Sequence, residues 1–80
     1  MKLGELHTVN ATQEEFEAAF HKEPRNRHLS ADEQRAVFRH YQHRNGRSVL
    51  IRAMNKRAVC VQFNTELFCP AFWFPKDLLV

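Results

Sequence analysis

Arg35, Arg39 and His43 recur at four-residue spacing, with Arg44 beside them. On a helix that spacing brings side chains to one face. Arg47 follows at once, Arg52 lies five residues on, and Lys56 and Arg57 fall where a hairpin tip is expected. A guanidinium presents forked donors that match two phosphate oxygens, so the set suits ionic binding to a nucleic-acid backbone. A solvated helix face would carry similar residues, and what sets this chain apart is segregation. Ten of the twelve Lys and Arg residues lie between Lys22 and Arg57, with only Glu23, Asp32 and Glu33 to oppose them. The whole-chain charge of +3 therefore hides a basic middle flanked by acidic ends. Summed charge of this kind steers a polyanionic partner.

A second constellation is aromatic. Phe68, Phe72, Trp73 and Phe74 fall within seven residues. Strand alternation sets Leu67, Cys69, Ala71 and Trp73 on one face and Phe68, Phe72 and Phe74 on the other. With Trp73 assigned to the core, the phenylalanine face is either covered by helices or exposed. Exposed, it would serve as a protein-docking patch, a homodimer face or a base-stacking platform.

Other chemistry has thin support. His40 and His43 with Cys60 and Cys69 make a sufficient zinc set by type, but their spacings are not those of zinc fingers, and no metal or other cofactor is expected. A two-residue second hairpin would set Cys60 opposite Cys69 and permit a disulfide. There is no glycine-rich phosphate loop, no Gly-x-Ser-x-Gly and no carboxylate pair in an apolar setting, so an enzyme is not expected. His40 or His43 as the general base of a nuclease is the one catalytic alternative.

These residues need elements to hold them. Thr12-Gln-Glu-Glu15 and Ser30-Ala-Asp-Glu33 are both capping boxes, the second preceded by Leu29 as a staple. They predict helices over about 13–21, with Phe16, Ala19 and Phe20 inward, and about 31–44, with Val37, Phe38 and Tyr41 inward. Lys22 to His28 reads as a polar loop. After Gly46 the apolar period changes to two, which predicts strands at about 47–54, 58–63 and 67–74. Three-residue loops would pair Val49 with Phe63, Ile51 with Val61, Ala53 with Val59, Phe63 with Leu67, Val61 with Cys69 and Val59 with Ala71. Residues 3–9 carry a weak pattern for a fourth, short strand, and Leu78 and Leu79 are expected to fold back.

Eighty residues make one domain, 1–80, with a small core. No apolar run is long enough to span a membrane. The opening residues carry no signal-peptide pattern, and two cysteines are too few for a disulfide scaffold; a complete, cytoplasmic chain is expected. The fold class is α+β, two N-terminal helices followed by a three-stranded antiparallel sheet. A winged-helix arrangement is the alternative, although a third helix is missing. The strand pair followed by an aromatic strand ending in Trp-Phe-Pro-Lys-Asp-Leu-Leu resembles small SH3-like barrels over residues 47–79, and that resemblance implies a curled sheet. The functional expectation is a small non-enzymatic nucleic-acid-binding protein, for DNA or RNA, using Arg35, Arg39, His43, Arg44, Arg47, Arg52, Lys56 and Arg57. The alternative is an accessory or inhibitor of phage or mobile-element type, docking on an acidic host-protein surface through these cations and Phe68, Phe72 and Phe74.

Overall fold

Both capping boxes form in the computed structural model, which describes residues 1–42, 48–64 and 69–80. The Thr12 hydroxyl accepts from Glu15 N at 3.1 Å, and the Glu15 carboxylate accepts from Thr12 N at 2.9 Å. Ser30 and Glu33 repeat the exchange at 3.1 and 2.9 Å. Helix α1 runs Gln13–Lys22 and α2 runs Ala31–Gln42. Between them, Pro24–His28 is a 3-10 helix, not the open loop expected. Pro24 stands at its start, where a missing N–H costs nothing, and the Glu23 side chain caps it.

The fold is α+β, and its sheet is antiparallel with, among the described residues, four strands in the order β1-β2-β3-β4: Leu6–Thr8, Ser48–Met54, Ala58–Phe63 and Phe72–Pro75. The expected count was three. The added strand β1 pairs with β2, Leu6 opposite Leu50 and Thr8 opposite Ser48. Gly4, at φ 79° in the turn before it, donates to Ile51 O at 2.8 Å, in a conformation that favours glycine. After β4, a 3-10 turn at Lys76–Leu78 returns the chain to β1. Val9 and Leu79 form an antiparallel bridge, and Thr8 and Val80 exchange backbone hydrogen bonds of 3.2 and 2.8 Å.

The β2–β3 register follows expectation at Val49–Phe63 and Ile51–Val61, then departs from it. A bulge at Arg52 shifts the pairing, so Ala53 meets Cys60 and Met54 meets Val59. The β3–β4 register differs from expectation at Val59 and Val61: Val59 faces Phe74, Cys60 faces Trp73 and Val61 faces Phe72, while Leu67, expected opposite Phe63, lies outside the described residues. This is a slip of three residues from the expected pairing. An odd slip exchanges the two faces of a strand. Phe72 and Phe74 are therefore core residues, 1% and 0% exposed, while Trp73 takes the outer face. Burying two phenylalanine rings removes more apolar surface from water than burying Ala71 and one face of an indole.

The helices pack on the inner sheet face. Phe16 stacks on Tyr41 with ring centres 4.0 Å apart and planes 9° apart, and it also meets Phe63, Phe72 and Phe74. The Tyr41 hydroxyl donates to Ala11 O. Val37, Val49, Ile51, Val59 and Val61 complete this core. His40 belongs to the inward side of α2 as well, its ring centre 4.7 Å from that of Phe63.

Candidate nucleic-acid interface

Trp73 and Cys60 sit opposite each other on the outer sheet face, and Ala53 continues the row on β2. Arg52, the bulged residue beside Ala53, is exposed there. Its charge reaches Cys60: burial pushes that thiol up, and Arg52 partly offsets the rise. At the other end of the row the Arg25 guanidinium carbon lies 4.7 Å from the Trp73 ring centre. Such a cation–π contact contributes about 0.5–1 kcal/mol at an exposed site.

The 3-10 helix is held where it can place Arg25. Asn26 is 3% exposed. Its amide donates to Phe20 O at 3.0 Å and Trp73 O at 2.9 Å, and its oxygen accepts from Trp73 N at 2.8 Å. One side chain thus stands in for a neighbouring strand along the outer edge of β4. Edge strands need such cover, because their free N–H and C=O groups otherwise recruit other chains. Glu23 accepts from both the Arg25 backbone and its guanidinium, each at 3.3 Å, which leaves the Arg25 side chain 50% exposed.

Across from this helix stands the β2–β3 hairpin tip. Asn55 Oδ1 accepts from Arg57 N at 2.9 Å and Ala58 N at 2.7 Å, and Asn55 N donates to Ala58 O at 3.0 Å. The asparagine side chain organises this turn without glycine. Lys76 N donates to Arg57 O at 3.4 Å and ties the tip to the segment after β4. Glu23, Pro24 and Arg25 on one side and Asn55 to Ala58 on the other enclose an open cleft of about 640 Å³. Lys56 and Arg57 are exposed and, like Arg52, have no ion-pair partner among the described residues.

The cations named from sequence therefore separate. Lys56 and Arg57 line the cleft, and Arg52 is exposed on β2 near Cys60. Arg35 and Arg39 are exposed on α2, across the core from the outer sheet face, and Arg35 is paired with Asp32. His43, Arg44, Arg47 and Phe68 lie outside the described residues. Phe72 and Phe74, offered above to a protein partner or a second copy, are enclosed by the core and present no docking face. The residues missed were Arg25, Asn26 and Trp73. Pro24 immediately after a helix end was the signal available for the first two, since it favours a new helical start.

Cys60 and Cys69 are both free thiols. Among the described residues no cluster of three or more His, Cys, Asp or Glu side chains is placed to hold a metal. No helix among them is long and apolar enough to cross a membrane. Comparison with protein-family models, with curated proteins and with solved structures finds no match to this chain.

Proposed function

We propose that this protein is a non-enzymatic nucleic-acid-binding module that works in the cytoplasm and grips phosphate with Arg25, Arg52, Lys56 and Arg57. The observation carrying this reading is the convergence of the 3-10 helix and the hairpin tip on one cleft, with cations on both walls. Arg52, Lys56 and Arg57, unpaired among the described residues and carried on anchored backbone, suit phosphate, and Arg25 adds the half of its side chain that stays exposed beside Glu23. Arg35 and Arg39 contribute to long-range attraction and not to contact. The unpaired thiols support a reducing compartment. An SH3-like closure is part of the same reading, supported by the bulge in β2, the 3-10 turn after β4 and the Val9–Leu79 bridge.

Mobility shifts on mixed-sequence DNA and RNA, repeated across salt concentrations, test it. Neutralising about four phosphates gives a slope of log affinity on log salt near −3.6 for duplex DNA and near −2.8 for single strands. The double change Lys56→Glu, Arg57→Glu abolishes binding at low salt, whereas Arg35→Glu, Arg39→Glu weakens it only a few-fold. Absence of binding by the unaltered protein at 50 mM salt overturns the reading.

A further inference from the structure

We infer that the cleft takes a single strand, with one base stacked on the Arg25–Trp73 pair and the neighbouring phosphates held by Lys56 and Arg57. This rests on the nucleic-acid reading above and adds the form of the ligand. Three observations carry it.

Arg25 already lies against the Trp73 ring at 4.7 Å, yet half of its side-chain surface is open. A guanidinium is planar, and its second face stacks on a base as readily as its first stacks on indole. The stack also sits at a cleft wall: Arg25 lines the same space as Lys56 and Arg57, and about 640 Å³ suits a nucleotide unit of small-ligand size. Finally, the arrangement opposes a duplex. A helix face and a hairpin tip gripping one double helix would need Arg35 and Arg39 on the side of Lys56 and Arg57, but the core stands between them. Duplex bases are stacked internally and have no free face to offer Arg25. Single strands do, and binding that combines a cationic groove with a stacking platform tolerates any sequence.

Trp73 is the sole tryptophan, so its fluorescence reports on this site alone. The protein is titrated at low salt with a mixed-sequence 12-nucleotide DNA, the same RNA, the matching duplex, and heparin as a polyanion without bases. The expected result is quenching of Trp73 by both single strands, which bind about tenfold or more tightly than the duplex. Arg25→Lys keeps the charge and removes the plane. It is expected to weaken single-strand binding about 5- to 150-fold, the range set by stacking one base, with the salt slope unchanged. Arg25 is half exposed, so folding is retained, and circular dichroism checks it.

Duplex binding as tight as single-strand binding without quenching overturns the inference and leaves the nucleic-acid reading standing. Heparin binding as tight as the oligonucleotides with unchanged fluorescence also overturns it, as does an Arg25→Lys protein that binds single strands normally. Failure of every ligand to bind overturns both readings.

Discussion

Asn26 joins three parts of the chain through one amide: the end of α1, the 3-10 helix and the edge of β4. Asn26→Ala would leave the part-buried Trp73 N–H and C=O without their partner and leave Phe20 O with only its 3.3 Å bond from Glu23 N. The expected loss is about 2–4 kcal/mol, read as a lower urea midpoint with an unchanged slope. A midpoint within error of the unaltered protein would show that water replaces the amide. Pro24 signalled a new helical start here, but nothing in the sequence announced the bonds of this residue to Trp73. An asparagine among Pro24, Arg25, Arg27 and His28 looks like turn chemistry, and its partner Trp73 lies 47 positions away. Burial pushes the Cys69 thiol up to about 11. A thiol raised on folding destabilises the native state only as pH climbs past its unfolded value, near 8.5. At pH 8 Cys69 is expected to react with a disulfide reagent at least tenfold more slowly in the native protein than in urea. Equal rates would mean that the site opens freely.

The helices were legible because each begins with a local device whose two partners are three residues apart. Glu15 and Glu33 accept backbone hydrogen bonds in those devices, which holds both carboxyls below the ordinary glutamate range. A carboxyl lowered on folding contributes stability above its unfolded value, and that contribution disappears as pH falls through the folded value. The double change Glu15→Gln, Glu33→Gln keeps an acceptor in each box but removes the titration. Its acid-side loss of helical circular dichroism is expected to be shallower than that of the unaltered protein, and an identical acid limb would place the pH dependence elsewhere. Strands β2 and β3 were legible for a different reason, since Val49, Ile51, Val59, Val61 and Phe63 alternate without interruption. Strand β4 was not. Its stretch is apolar at successive positions, so alternation fits either face, and only the core decides that Phe72 and Phe74 point inward beneath Phe16. The basic site shared that difficulty: Lys56 and Arg57 were visible from sequence, but the helix that joins them is Pro24–His28 and not α2.

Across the molecule, the described cations of the basic middle do not form one basic face. Among the described residues, Arg35 and Arg39 stand on α2, Arg52, Lys56 and Arg57 stand on β2 and the hairpin tip, and Arg25 of the 3-10 helix lies over the Trp73 ring. The fold is fastened where Thr8 to Asn10 meet Leu78 to Val80. Removing Leu78, Leu79 and Val80 would free Thr8 and Asn10 from their backbone partners and withdraw two half-buried leucines from the core. The expected cost is roughly 3 kcal/mol, about 1 kcal/mol from each half-buried leucine and the rest from the lost backbone hydrogen bonds, with aggregation through the uncovered strand. An unchanged denaturation midpoint and a monodisperse sample would count against it. The same fastening sets a timetable for the cell. Leu79 is made roughly 70 residues after its partner Val9. At 5–20 residues per second, the nascent chain waits about 4–14 s with that strand unclosed. During that interval it is a substrate for any holdase that recognises an open strand, and its native form is reached only once Leu79 has been made.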